Sequence, residues 1–170
     1  MKCHECNREM TESMGDYHYL ESGLDNVFLK DICLHTCECG ESFASIQGVV
    51  HLNAFIGRTL LRKKGRLTAQ EIKFLRKNIG LSAKMFIEYI GVNKSTFSRW
   101  ENDKQDIDKS NDRIIRLIYA TLKGLPNDEV MLLLDDVFKE IHKKGRKWQI
   151  NIPPELLGQQ SCGGSKKCVA

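Results

Sequence analysis

Five cysteines, Cys3, Cys6, Cys33, Cys37 and Cys39, fall within the first 39 residues of this 170-residue chain. Thiols bridge, carry electrons or hold soft metal ions, and spacing separates these roles. Cys3 and Cys6 are separated by two residues, and Cys37 and Cys39 by one, with Gly40 next. Each pair sets two sulfurs on a tight turn, and a glycine lets the backbone turn without a Cβ clash. Four thiolates at about 2.3 Å complete a tetrahedral Zn²⁺ shell, and a closed shell of this kind is structural. The expectation is therefore one structural Zn²⁺ per chain, on Cys3, Cys6, Cys37 and Cys39. The short spacer in the second pair leaves His35 or Cys33 open as replacements for Cys37, although both lie within a predicted strand, away from the turn. A redox C-x-x-C normally opens a helix in a βαβ pattern, whereas this one precedes a hairpin pattern. A catalytic zinc needs an open position and a base, so no enzyme is expected.

The seven cysteines are odd in number, and the opening MKCHECNREM lacks the apolar core of a secretory leader. The expectation is a reducing, cytoplasmic setting without disulfides and without a membrane span. Cys162 and Cys168 flank Gly-Gly-Ser-Lys-Lys and lack two further ligands nearby, so they read as free thiols on a tail.

A second constellation lies at 81–101, LSAKMFIEYIGVNKSTFSRWE. Ala83, Phe86, Ile87 and Ile90 make an inward face for one helix. Gly91 turns the chain, and Val92, Phe97 and Trp100 pack a second helix back onto the first. The other face of that helix carries Lys94, Ser95, Thr96, Ser98 and Arg99, with no acid until Glu101. A helix that enters the major groove touches base edges with its N-terminal residues. Arg99 is suited to a bidentate contact with guanine. Ser82, Lys84, Asn93 and Thr96 are placed for phosphate contacts, which position the protein without specifying sequence.

The elements that must hold these two sites are legible in outline. Tyr17 and Tyr19 alternate with polar neighbours in Asp16–Glu21, and Val27–His35 is a second β-rich run. Together they predict a hairpin that delivers Cys37 and Cys39. Apolar residues at helical spacing over 46–64 predict a connector helix that ends in Arg62-Lys63-Lys64-Gly65. Thr68 and Glu71 form a capping-box pattern, Ser82 is a helix cap, and a fourth helix is expected from Ser110 or Asn111. A further helix over Val130–His142 and a short strand near Trp148–Ile152 follow.

The fold expected is mostly α. It comprises a zinc-binding β-hairpin domain over 1–45, a connector helix over 46–66 and an all-α helix-turn-helix DNA-binding domain over 67–122. A C-terminal helix and short strand occupy 123–152, and a flexible tail 153–170. Charge follows this division. Residues 1–45 carry three Lys/Arg against nine Asp/Glu, a net of −6, and residues 46–122 carry fifteen against seven, a net of +8. A basic middle suits nucleic acid, and an acidic head suits a basic protein partner.

Residues 67–122 are similar to the Xre/Cro-type helix-turn-helix domain in L-T-x-x-E-I-x-x-L-R, L-S, I-G-V and S-T-F-S-R-W-E-N. The whole of 1–122 resembles the MqsA/YgiT-type zinc-finger antitoxin and regulator family. M-K-C-H-E-C at the start, C-E-C-G-E-S-F at 37–43 and F-S-R-W-E at 97–101 carry the likeness. The resemblance implies a zinc domain that organises structure and binds a basic toxin through 1–45. It also implies a homodimer that binds double-stranded DNA at a palindromic operator and represses transcription. By the same resemblance, Lys94, Ser95 and Arg99 fall on base-reading positions. Asp103 departs from the family's usual glycine after the recognition helix. The alternatives are a solitary regulator without a toxin, or a zinc-ribbon RNA-binding or accessory protein. No role is implied for 123–170.

Overall fold

β-branched and aromatic residues are concentrated in Val27–Thr36, and in the computed structural model this run is the central strand, β2. The structure describes residues 1–140 and 148–157. β1, Thr11–His18, pairs antiparallel with β2 from Thr11 opposite Thr36 to His18 opposite Phe28. It lies earlier than the predicted Asp16–Glu21 run because Leu20–Ser22 winds into a 3₁₀ turn. The register slips between Gly15 and Tyr17, where Asp31 has φ 48°. One extra β2 residue is taken up there as a bulge. The Lys30 ammonium donates to Asp16 across this bulge and holds its carboxyl below the usual range.

Two short strands share the other side of β2. β3, Ser42–Ala44, pairs antiparallel with Leu34–Thr36. β4, Ile150–Ile152, pairs parallel with Val27–Leu29. Ile150, Ile152, Val27 and Leu29 are all buried. The expected two-stranded hairpin is thus a four-stranded sheet. The described fold is mixed, helices with a small sheet, rather than mostly α.

The helices are α1 (Val49–Leu61), α2 (Ala69–Asn78), α3 (Ala83–Ile90), α4 (Lys94–Glu101), α5 (Lys109–Leu122) and α6 (Asn127–Leu132). α6 continues through a π-helical stretch, Leu133–Val137, into Phe138–Glu140. Caps explain most of the boundaries. Thr68 and Glu71 form the full reciprocal capping box of α2. Ser82 caps α3, and Gly91 ends it in the left-handed region at φ 77°. Asp108, not Ser110 or Asn111, caps α5 and accepts from both their N–H groups.

Two compact units result. One comprises Met1–Glu21, Asp25–Leu52 and the chain from Gln149; the other comprises Ser22–Leu24 and Asn53–Trp148. The divisions expected above fall at 45, 66, 122 and 152. The structure divides the chain differently, because β4 brings a C-terminal segment to the N-terminal sheet.

The second unit is tied by buried charge. Arg116 and Asp112 are both fully buried, with Arg116 Nε 2.8 Å from Asp112 Oδ2. The Arg116 guanidinium also donates to the carbonyls of Leu60, Leu61, Lys63 and Gly65 at 2.6–3.2 Å. It therefore supplies donors to the end of α1, where helix carbonyls lack partners. Asp112 Oδ1 accepts from Leu67 N–H at 2.7 Å. Lys63, read from sequence as part of a basic helix end, is buried with both Glu71 oxygens at 2.7–2.9 Å. Gly57 leaves room for the Tyr119 ring, since a Cβ there would lie 1.9 Å from the Tyr119 hydroxyl.

Candidate metal centre and nucleic-acid interface

The first cysteine turn is a short hairpin. Cys3 N–H donates to Arg8 O at 2.9 Å, and Asn7 N–H donates to Cys3 O at 3.0 Å. Asn7 is left-handed at φ 58°, which closes the turn, and Lys2 bridges to Glu9 across it. The second turn joins β2 to β3. Gly40 N–H donates to Cys37 O and Cys37 N–H to Glu41 O, both at 2.9 Å, with Gly40 at φ 97°. Met10 and Phe43 pack against the cysteines.

These turns bring Cys3, Cys6, Cys37 and Cys39 together, with all four sulfurs within 4.8 Å of one another. Cys3 Sγ is 3.6 Å from Cys39 Sγ, and Cys6 Sγ is 3.3 Å from Cys37 Sγ. A tetrahedral shell with 2.3 Å bonds has sulfur–sulfur edges of about 3.8 Å; these two spacings fall just short of it, and no pair of the four exceeds it by more than about 1 Å. The donor set is four sulfurs, which suits a soft tetrahedral ion. The cluster is compatible with a structural metal such as zinc.

Electrostatics within the cluster favour a cation. N–H groups of Cys6 and Glu5 favour the Cys3 thiolate and bring it down to about 7. The Cys39 N–H favours the Cys37 thiolate too. The neighbouring sulfurs of Cys6, Cys39 and Cys3, together with burial, outweigh it and push Cys37 up to about 12. One thiol ionises readily while its neighbour resists a second negative charge, and a bound cation removes that conflict.

The two alternatives for Cys37 lie elsewhere. Cys33 is buried in β2 outside the cluster. His35 stacks on Phe43 with ring centres 4.9 Å apart, and its Nδ1 is 3.7 Å from Glu12 Oε1. Cys162, Cys168 and Lys143–Lys147 lie outside the described residues.

The second constellation sits on α3 and α4, joined by Gly91-Val92-Asn93. Phe86 and Phe97 meet edge-on with centres 5.6 Å apart, and Phe97 meets Trp100 at 6.3 Å. All three rings are buried. Arg76 locks this pair of helices to α2, donating from Nε to Glu101 Oε1 and from Nη1 to Leu81 O, both at 2.9 Å. Ala83, expected to face inward, is exposed.

With Phe97 and Trp100 fixed inward, Lys94, Ser95, Ser98 and Arg99 are exposed along the other face of α4. Asn93 is the N-cap. Its Oδ1 accepts from Thr96 N–H and from the Ser95 hydroxyl, both at 2.7 Å. Ser82 Oγ accepts from Met85 N–H at 3.3 Å, and Lys84 is exposed. Thr96 is half-buried. Ser98 and Asn102 share the exposed end of α4, and Asn102 Nδ2 donates to Ser98 O at 2.7 Å. Neither is among the contacts expected above, although Ser98 stands three and four residues from Ser95 and Lys94, the helical same-face spacing. Asp103 follows at φ 54°, in the left-handed region that favours glycine.

No protein-family model, curated protein or solved structure matches the chain. Among the described residues, no helix is long and apolar enough to cross a membrane.

Proposed function

We propose that this chain is a sequence-specific DNA-binding transcriptional regulator, a repressor of the zinc-finger antitoxin type, in which α3, the Gly91 turn and α4 act as a helix-turn-helix. The observation that carries this reading is the two-sidedness of α4. Phe97 and Trp100 are 2% exposed, while Lys94, Ser95, Ser98 and Arg99 face solvent without an acid among them. Arg99 reads a guanine, Lys94 and Ser95 contact neighbouring base edges, and Ser82, Lys84, Asn93 and Thr96 hold phosphates. One such helix covers few base pairs, so a homodimer on a palindromic operator is proposed. The Cys₄ cluster holds one structural zinc and does no chemistry. The acidic head of net −6 suits a basic toxin rather than DNA. The protein works in the cytoplasm.

The test is selection of bound fragments from randomised DNA, followed by affinity measurement on the recovered site. Arg99→Ala is expected to weaken specific binding by about 1–3 kcal/mol and to relax one base position. Recovery of no consensus, or an unchanged affinity in Arg99→Ala, overturns the reading.

A further inference from the structure

Two serines, Ser95 and Ser98, lie on the solvent face of α4, and both are exposed. A serine hydroxyl has one proton and two lone pairs, so on a base edge it pairs with a donor or with an acceptor. It discriminates between the two only where the protein commits one of them.

At Ser95 the proton is committed. Asn93 Oδ1 lies 2.7 Å from the Thr96 nitrogen and 2.7 Å from Ser95 Oγ. A backbone N–H only donates, so the side-chain atom of Asn93 that meets it is the carbonyl oxygen. That oxygen carries no proton, so the second bond has the Ser95 hydroxyl as its donor. Ser95 Oγ is left with lone pairs alone. Ser98, one turn further on, has the opposite arrangement. Its Oγ accepts from Asn102 Nδ2 at 3.3 Å, and its own proton has no protein acceptor among the described residues. The Asn102 amide is oriented by the Ser98 carbonyl, to which it donates at 2.7 Å.

The major groove sorts bases by the same property. Adenine N6 and cytosine N4 carry protons, whereas guanine O6 and N7 and thymine O4 only accept. We infer that Ser95 selects an exocyclic amino group, that of adenine or cytosine, and that Asn93 is the positioning residue that makes it do so. The inference rests on the reading of α4 as the helix that enters the groove. To pair with a keto oxygen, the Ser95 proton must leave Asn93, at the loss of one hydrogen bond. The preference for an amino base over a keto base is then about 3- to 10-fold.

The test uses the full protein and sites recovered from randomised DNA, with the preference among the four bases measured by competition at each position. One position, distinct from the guanine that Arg99→Ala relaxes, is expected to favour adenine or cytosine on one strand. Ser95→Ala is expected to make that position indifferent and to leave the guanine in place. Asn93→Gly costs a helix cap little and releases the Ser95 proton. Its lost phosphate contact weakens every sequence alike, so the readout is the ratio of amino to keto bases, which is expected to fall toward unity. Asn93→Asp keeps an acceptor for Ser95 and is expected to keep the ratio. A guanine consensus in which no position responds to Ser95→Ala, or in which the responding position favours a keto base, overturns this inference and leaves α4 as a reading helix. An amino preference that survives in Asn93→Gly, or is lost in Asn93→Asp, overturns the role of Asn93. Recovery of no consensus overturns the DNA reading itself and this inference with it.

Discussion

Arg116→Met is the substitution with the largest expected effect on the second unit. The guanidinium is fully buried and makes five hydrogen bonds, one to Asp112 and four to carbonyls of Leu60, Leu61, Lys63 and Gly65. Methionine fills a similar volume, so packing is largely kept and the change isolates the polar loss. Asp112 then stays buried with only the Leu67 N–H opposite its charge. Removing one partner of a buried ion pair costs about 3–5 kcal/mol. Each carbonyl left without a donor adds about 1–3 kcal/mol unless water or a local shift reaches it. Summed without relaxation, these terms exceed the roughly 5–15 kcal/mol that holds a domain folded. The expected loss is therefore at least about 4 kcal/mol, with full unfolding of the unit as the upper limit. Urea denaturation followed by tryptophan fluorescence reads this unit alone, because Trp100 and Trp148, the only tryptophans, both belong to it. The double variant Asp112→Asn/Arg116→Met is expected to recover about 1 kcal/mol or more, since it removes the stranded charge. A loss below about 1 kcal/mol in Arg116→Met would refute the reasoning, because it would mean that the carbonyls and Asp112 do not depend on the guanidinium.

Gly57→Ala places a methyl 1.9 Å from the Tyr119 hydroxyl and 2.5 Å from its Cζ. The rigid ring is hydrogen-bonded to Asn78, so a loss of about 1–3 kcal/mol or more is expected by the same fluorescence assay, and a neutral result would show that the ring moves aside freely. Asp108→Ala removes the α5 cap and is expected to cost about 1 kcal/mol at neutral pH. Burial opposes the charge of Asp108, but hydrogen bonds from the Asn111 side chain and the Asn111 and Ser110 N–H groups outweigh it and hold the carboxyl below its usual range. A lowered folded-state value means that the cap contributes fully above about pH 3.9 and is lost as pH falls through the folded value. The gap between wild type and Asp108→Ala should therefore close on acidification, and a gap independent of pH counts against the cap. Elemental analysis of the purified protein should give one zinc per chain, with loss in Cys6→Ser or Cys39→Ser. Because Cys37 must give up a proton to bind metal, retention should strengthen as pH rises; retention that weakens with rising pH contradicts a thiolate site.

What was legible in the sequence was local. The capping box at Thr68 and Glu71, the Ser82 cap and the Gly91 stop each act within four residues, and they located α2, α3 and α4. The cysteine cluster was legible for a related reason, because each pair sits on its own turn and hydrogen-bonds within itself. The start of α5 was displaced because Asp108, Ser110 and Asn111 are all good capping residues, and only the geometry shows that Asp108 accepts. β3 and β4 were the harder elements. Each has three residues, and neither has a pattern that names its partner. That Ile150–Ile152 would lie beside Val27–Leu29 depends on a pairing no local rule encodes. The burial of Lys63, just past the end of α1, and of Arg116, in the middle of α5, was equally hidden, since basic residues on helices normally face water. Their partners, Glu71 and the α1 carbonyls, become adjacent only once the helices have packed.

The parallel pairing of β4 with β2 has a consequence for the order in which this protein forms. Ile150 partners Val27, so about 120 residues of chain separate the two strands. A ribosome adding roughly 5–20 residues per second needs on the order of 6–24 s to cover that span. During that interval the first cysteine turn, β1, β2 and β3 have emerged, and the edge of β2 that β4 will cover is bare. The helices from α2 to α5, whose pairings are much closer along the chain, are complete before β4 leaves the tunnel. The sheet is therefore finished only after the helices α2 to α5, and its Val27–Leu29 edge is exposed to mispairing while the chain is being made.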